Sequence, residues 1–582
     1  MENKKTVEQK QNLNKKTTLS SIVSLLPFGL PQIILFVLCG SFYAYVGMEI
    51  ILVSYLTPEL EREWDLSSFQ AGFMLSALFA GALAGSLVTG WVSDTFGRRT
   101  AILFGMLLSC ICKALLLAST NWWTVSLLLF VTQNGSAASN IAFTLYLEFV
   151  KPPQRATQTM VFCIWWTIGS IVQVLFSWYT LEFLNWKYMI LFHIVPAVLF
   201  FFIMIFSLPE SIIFNHSKKK YFHVVNHLYK MNPGINEKKK STKSAKQNQF
   251  EIEKKINQYL LERIDIKQIK DFFAQLESNS KLQKKFKYLM FQFRKTNNSN
   301  LDNLANDQIG FSGLLDTQND EEIGSISAND NNNNDNLKLN VIGKENENVN
   351  ENSDENENNK LIVNENDNSE ENEKENKKEK EGSEEKSIRF RDLFSKKYRK
   401  LFIFFSISYV CISFAYYGII LLSPISFEEI KQSKFLNKYV LNLFQTISEI
   451  PGLFLGIYIC KYLSRKTSLL LLLAISLISN TVIIFYRNTY VFTILLMLMR
   501  GCLLAFYMLI ILFIIECFPT LVRNRALGVI TAIARMGTIL VPYTVYNSLG
   551  LNFPLAIYLA ITAVNIFVIS QIKAKTKNKS LE

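Results

Sequence analysis

Residues 90–100 read GWVSDTFGRRT: Gly90, then Asp94, Gly97, and the pair Arg98 and Arg99. A carboxylate is followed by a glycine and at once by two cations. On either side lie apolar blocks, near 69–91 and 100–118, each close to the ~20 residues a helix needs to cross a ~30 Å hydrocarbon core. The stretch reads as a tight turn between two membrane-length helices. Gly97 gives the backbone its freedom to turn, and the carboxylate and cations decorate the two helix ends. A basic loop alone would explain the arginines but leave Asp94 and both glycines unused.

Working outward, further apolar blocks lie near 30–53, 122–147, 157–181 and 187–208. A second set follows near 399–423, 437–460, 467–486, 490–515, 525–549 and 552–572. That is six, a long polar interval, and six more. The 582-residue composition agrees, being 49% hydrophobic and only 19% charged, where soluble chains carry about 25% charged residues. The 24 Gly, 13 Pro and 8 Cys exclude collagen-like and disulfide-stapled classes. Alternate short loops carry the basic residues: Arg98 and Arg99, Lys151 and Arg155, Lys461, Arg465 and Lys466, Arg523 and Arg525. By the positive-inside rule these loops, both termini and the central interval face the cytoplasm. The net charge of +13 then reports topology and contact with an anionic inner leaflet, and no nucleic-acid partner is called for. The predicted class is an all-α membrane protein of twelve transmembrane helices in two six-helix bundles.

Expected divisions are a cytoplasmic tail (1–28), an N-terminal bundle (29–215), a basic, partly helical loop (216–296), a disordered loop (297–388), a C-terminal bundle (389–573) and a tail (574–582). Residues 1–28 lack a signal-peptide pattern. The cysteines all fall in or beside spans, without metal or disulfide spacing. Within the first part of the loop, KLQKKFKYLMFQFRK (281–295) places Leu282, Phe286, Leu289, Met290 and Phe293 on one face of a basic helix. Such a helix can pack beneath the bundles, lie on an anionic membrane, or bind a calmodulin-like partner through 281–294. Residues 331–386 hold 17 acidic against 8 basic side chains and too little apolar surface to fold. That segment is a regulatory tether or an insert without a role.

The 90–100 stretch within a twelve-span chain resembles the major facilitator superfamily. CKYLSRKT (460–467) occupies the corresponding place between the eighth and ninth spans, with Lys461 at the Asp position and Ser464 at the second Gly position. Matched loops also follow the fourth and tenth spans. TLYLEFVKPPQRA (144–156) contains Glu148 and Arg155, and IIECFPTLVRNRALG (514–528) contains Glu516 and Arg523. In each, a span-ending Glu precedes an Arg by seven residues. A carboxylate and a guanidinium can therefore meet at the surface, with each other or with Asp94 and Arg98. Together with Pro209-Glu210-Ser211, MEIILVSYLTPELEREWDLSSFQAG (48–72), YYGIILL (416–422), EIPG (449–452) and IARMGTILVP (533–542), these loops are similar to the synaptic-vesicle-two-related and organic-ion branch. The resemblance implies two bundles related by a parallel repeat, rocking about a midplane cavity. It also implies a cytoplasmic gate of Gly90, Asp94, Gly97, Arg98, Arg99, Glu148, Arg155, Glu516 and Arg523, with Asp94 pairing across to the other half.

A charge inside a span costs at least ~2.5–3.5 kcal/mol, so each needs a partner or a purpose. Glu49 in the first span is the leading candidate for binding a cationic group or carrying a coupling proton. The structural alternative is a hydrogen-bonded or snorkelling acid. Glu449 and Arg500 can neutralise each other, and Tyr416, Tyr417, Trp165 and Trp166 can stack on a ring-bearing or cationic substrate. Arg535 reads as structural, near the cytoplasmic end of its span. Lys113 and His193 are single polar residues in apolar spans, and His223 with His227 lacks the third ligand of a metal site. No cofactor is implied, and no nucleotide loop, metal set or nucleophile constellation points to an enzyme. The function expected is secondary active transport of a small organic ion, with protons as a possible symported ion, in the plasma membrane or a vesicle membrane. The alternatives are a porter of sugars or other neutral solutes, and a non-transporting receptor of the same fold.

Overall fold

The computed structural model describes residues 19–25, 29–151, 154–231, 255–256, 259, 398–429, 437–486, 488–518, 520–546 and 550–572. The 281–295 stretch, the acidic segment, residues 1–18 and the C-terminal tail lie outside the described residues, and of the N-terminal tail the helix Leu19–Leu25 is described. Spans 1 to 6 are Leu30–Glu63, Ser68–Phe96, Arg98–Leu116, the pair Trp122–Ser136 and Ser139–Glu148, Thr157–Phe183 and Trp186–Ser207. Spans 7 to 12 are Arg399–Glu429, Lys438–Tyr462, Arg465–Phe485, Thr489–Cys517, Thr520–Thr538 extended by Val541–Val545, and Asn552–Gln571. Short helices Ile212–Ser217 and Tyr221–Lys230 follow span 6.

Eleven of these helices are individually long and apolar enough to cross a membrane. Span 4 differs because a tightened turn interrupts it. Ala138 N–H reaches Gly135 O, and Ile141 N–H reaches Ala138 O, both across three residues rather than four. Ala137 and Ala138 stay right-handed, so the two pieces continue one another as a membrane-length segment. The chain is a multi-pass integral membrane protein. Polar caps start several spans: Ser67 accepts from Gln70 N–H, Asn121 from Thr124 N–H, and Ser464 from Thr467 N–H. Each satisfies an N–H that the apolar helix cannot.

Burial sorts the spans. In the apolar windows of spans 1, 7 and 10, 72%, 83% and 78% of residues are buried, against 28% in span 6. Spans 1, 7 and 10 are therefore inner helices, while span 6 presents Val195, Phe202 and Phe206 outward. Packing repeats with a shift of six: 1 with 5, 1 with 6, 2 with 4, 3 with 4 and 3 with 6 recur as 7 with 11, 7 with 12, 8 with 10, 9 with 10 and 9 with 12. Close approach in the 8–10 pair depends on glycine. A Cβ on Gly452 would lie 2.5 Å from Gly501 Cα.

The halves join through spans 1 with 7, 2 with 11 and 5 with 8. At midspan, Thr167 Oγ1 donates to Glu449 Oε2 at 2.8 Å. Toward the face opposite the basic loops, Ser76 Oγ donates to Ile539 O at 2.7 Å, Asn442 Nδ2 donates to Tyr55 OH, and Phe69 stacks on Tyr543 with centroids 5.9 Å apart.

Candidate functional site

Three polar assemblies interrupt the apolar interior. The first joins the halves. Glu449, near the middle of span 8, is fully buried, as is Arg500 of span 10. Arg500 Nε meets Glu449 Oε1 at 2.8 Å, and Tyr416 OH of span 7 donates to the same oxygen at 3.0 Å. The other oxygen takes the Thr167 bond from span 5. One carboxylate thus serves both halves, while Nη1 and Nη2 of Arg500 are buried without a hydrogen-bond partner. Rings surround this pair. Tyr416 and Tyr417 lie 5.5 Å apart, Tyr416 and Tyr507 5.8 Å, and Trp166 and Tyr417 6.4 Å.

The second assembly lies inside the first half and holds Glu49. Its Oε1 is 3.4 Å from Lys113 Nζ, its Oε2 accepts from Ser136 Oγ at 2.6 Å, and the three side chains are fully buried. Gln133, its amide nitrogen turned to the acid, donates to Oε2 at 2.9 Å and to Oε1 at 3.1 Å. Lys113 Nζ also lies 3.3 Å from the His193 ring nitrogens and 4.7 Å above the Tyr45 ring. Tyr45 OH continues through Ser109 Oγ at 3.0 Å to Ser136 at 3.1 Å. Spans 1, 3, 4 and 6 each contribute, so the charges are matched and most donors satisfied. Sequence reading treated Lys113 and His193 singly. The signal that links them to Glu49 is the membrane-depth cost of a lysine without an acid.

The third assembly is the pair of basic loops. Gly97 has φ +107° and is packed so closely that a Cβ would lie 2.4 Å from Glu210 Oε2, so glycine is needed there twice over. Glu210 Oε1 accepts from the backbone N–H of Arg98 at 2.8 Å and of Arg99 at 3.2 Å. It serves as an anion at the start of span 3. Arg98 meets Glu148 at 3.5 Å, Asp94 at 3.1 Å and Ser93 Oγ at 2.6 Å. Ser211 Oγ also donates to Glu148. Among the described residues the partner of Asp94 is Arg98, four residues on, rather than a cation of the other half, and the Asp94 side chain is 79% exposed. That spacing brings helix side chains together. The side chains of Arg523 and Arg525 are outside the described residues.

Arg155 does not bond Glu148 directly. Its Nε donates to Val150 O at 3.2 Å, and partial burial lowers its pKa against the opposing pull of Glu148. Gly90 sits in open space, with nothing within 4 Å of a Cβ placed there.

The second half repeats the plan. Arg465 Nη2 meets Glu516 Oε1 at 3.0 Å, and its Nη1 donates to Cys460 O at 3.2 Å. Lys466 Nζ caps the end of span 12, donating to Ser570 O at 2.6 Å and Ile572 O at 2.9 Å. Arg99 does the same for span 6 at Ile205 O. Cations at helix C-termini are favoured by the helix dipole. Arg523 lies in the helix Thr520–Thr538, and its side chain is outside the described residues. Arg535 is mid-span rather than near an end. The apolar part of its span runs from Ala526 to Val545, and the side chain bonds Tyr417 OH at 3.4 Å.

Residues 37–252 and 366–578 match the Major Facilitator Superfamily. Among curated proteins the chain is similar to Organic cation/carnitine transporter 7 of Arabidopsis thaliana, 27% identical over 229 residues, which is 38% of this chain and 46% of that protein. It is similar to putative transporter svop-1 of Caenorhabditis elegans, 29% identical over 35% of this chain and 39% of that protein. Synaptic vesicle 2-related protein of Xenopus laevis is 30% identical over 32% of this chain and 34% of that protein. The chain thus matches less than half the length of each of these relatives. Among solved structures, the partially occluded, inward-open conformation of the xylose transporter XylE from E. coli superposes with a TM-score of 0.57 at 11% identity. It covers 94% of this chain and 99% of that one, a likeness of fold.

Proposed function

The chain belongs to the Major Facilitator Superfamily, and from that premise we propose that it is a secondary active transporter that moves a small organic ion by alternating access, coupled to protons. The observation that carries the reading is Glu449. It is held by Arg500 and Tyr416 on one half and by Thr167 on the other. A buried carboxylate shared across the interface of two rocking bodies has a different set of partners in each state. Its exchange of partners can be tied to substrate. The organic cation and carnitine named for one relative supports an ionic solute, and the tyrosine and tryptophan rings beside the pair suit a molecule with an apolar body.

By the positive-inside rule the face that carries the basic loops is the cytoplasmic one in this reading. In this reading Arg98 with Glu148, and Arg465 with Glu516, tie the ends of each bundle so that it moves as one body. Asp94, Gly97, Arg99 and Arg155 complete the cytoplasmic gate of the first half, and Arg523 belongs to that of the second. Glu49 is the proton-coupling acid: its protonation takes the counter-ion from Lys113, so the buried pair has to loosen or change partners as the proton is carried. The membrane is the plasma membrane or that of a vesicle.

Uptake of radiolabelled organic ions into proteoliposomes, with and without an imposed pH gradient, tests this. A gradient-driven uptake is expected in the wild type, and Glu49→Gln is expected to retain exchange while losing the gradient's effect. An unchanged pH response in Glu49→Gln would remove Glu49 from the coupling role.

A further inference from the structure

Lys113 is the charged partner of Glu49, and an ammonium has three hydrogen bonds to donate and none to accept. The fold meets it from three sides. Glu49 Oε1 of span 1 lies 3.4 Å from Nζ, a ring nitrogen of His193 on span 6 lies 3.3 Å away, and the centre of the Tyr45 ring 4.7 Å. Glu49, Lys113 and His193 are all fully buried, so bulk water does not replace a partner that is lost. His193 makes this contact against the habit of its own helix. Span 6 has only 28% of its apolar window buried, yet the imidazole faces inward, its ring 4.5 Å from that of Tyr45. Its hydrogen bond to the Tyr45 backbone uses one ring N–H. The other nitrogen of a neutral imidazole is an acceptor, which is the form that Lys113 requires.

We propose that His193 is a positioning residue for proton coupling: it keeps hold of Lys113 while Glu49 carries a proton, and so sets the pH at which Glu49 takes that proton up. This rests on the reading of Glu49 given above. In the step itself one proton adds to a Glu49 carboxylate oxygen, Lys113 stays an ammonium and His193 stays neutral. The cluster goes from neutral to a single positive charge. Ser136 and Gln133 serve the acid in either form, since a hydroxyl and an amide both donate and accept. Lys113 is the member that loses, because a neutral carboxyl no longer offers it a counter-charge. Its remaining partners are then the imidazole and the Tyr45 ring, and a buried ammonium stripped of acceptors is costly. Removing the imidazole therefore costs more with Glu49 protonated than with Glu49 ionised, and the acid becomes harder to protonate. The other titratable groups facing the cluster are Tyr45 of span 1 and Cys110 and Cys112 of span 3, and phenols and thiols ordinarily titrate above carboxyls. Among the described residues, spans 4 and 5 bring no titratable group to it.

The test uses the full-length protein in lipid, with the proton itself as the probe. Infrared difference spectroscopy follows the C=O stretch of protonated carboxyls as pH is lowered, and the component missing in Glu49→Gln belongs to Glu49. Its midpoint is expected to fall by about one pH unit, a tenfold loss of proton affinity, in His193→Phe, which keeps a ring and removes the acceptor. His193→Asn, which keeps an acceptor, is expected to recover part of that shift. A purely structural histidine would lower the unfolding temperature in both variants and leave the midpoint alone. A midpoint unmoved or moved upward in His193→Phe overturns the proposal. A second measurement needs no variant that folds poorly. With the nitrogens of the four histidines labelled, solid-state NMR of the wild type is expected to show one ring that stays neutral and shifts with the Glu49 midpoint. If the ring that follows Glu49 gains a proton itself, or if no ring follows it, the proposal is overturned. A Glu49 band that titrates but ignores His193 ends this proposal and leaves Glu49 as the coupling acid. Absence of any titrating band that Glu49→Gln removes ends both.

Discussion

Glu49 and Lys113 show how a buried charge is kept in a span. Neither has access to water, and each is the other's counter-ion. Removing one partner leaves a naked charge, which costs ~3–5 kcal/mol, whereas replacing both can be close to neutral. Lys113→Met is therefore expected to lower the midpoint of thermal unfolding in detergent by many degrees. The double variant Glu49→Gln/Lys113→Met is expected to recover most of that loss, measured by differential scanning fluorimetry. Additive losses in the double variant would show that the two charges do not interact. Only part of this was legible in the sequence. Glu49, Glu449 and Arg500 stood out because a charge in an apolar run is conspicuous. The pairing of Glu449 with Arg500 was legible too, but the partners of Glu49 were not, since Lys113, Ser136 and His193 come from spans whose adjacency no local pattern reveals. Arg535 reads from the sequence as lying near the cytoplasmic end of its span, whereas the apolar part of the span, Ala526–Val545, has it in the middle.

At the scale of elements, the two basic loops are one device made twice. Glu148 bonds Arg98 fifty residues before it and Glu516 bonds Arg465 fifty-one before it, and each following cation caps the last carbonyls of the bundle's sixth helix. The repeat was legible as matched loops in sequence, which left Glu148 to meet either Arg155 or the Asp94 and Arg98 pair. The pairing runs to the loop after the second or eighth span, because spans 3 and 4, and 9 and 10, pack side by side. Arg465→Met is expected to destabilise the second bundle more than Lys466→Met. The first leaves the partly buried Glu516 without its cation, while the second loses only carbonyl caps. Limited proteolysis of the two variants in membranes checks the order, and equal protection would contradict it. The 8–10 helix contact is stricter. Gly452→Val is expected to abolish monodisperse protein on gel filtration, since its Cβ would meet Gly501 backbone at 2.5 Å.

For the whole molecule, the apolar blocks made the count and order of spans readable, since a membrane-length apolar run has few alternatives. The interruption of span 4 was not readable, because Ala137 and Ala138 are good helix formers and the tightened turn arises from packing. The family match breaks off after residue 252 and resumes at 366, so the intervening segment is outside the shared fold. Deleting residues 300–365 is expected to leave thermal stability and uptake close to wild type, and loss of either would assign the segment a structural or regulatory role.

If the two halves rock about Glu449, one face opens as the other closes. Spin labels at Thr95→Cys and Lys461→Cys report the separation of the basic loops by pulsed electron spin resonance. A short bis-maleimide between Phe69→Cys and Tyr543→Cys, introduced on the opposite face in a separately labelled sample, holds that face shut. Alternating access predicts two distance populations without the linker and only the longer one with it. The same distribution in both samples would contradict rocking of the halves.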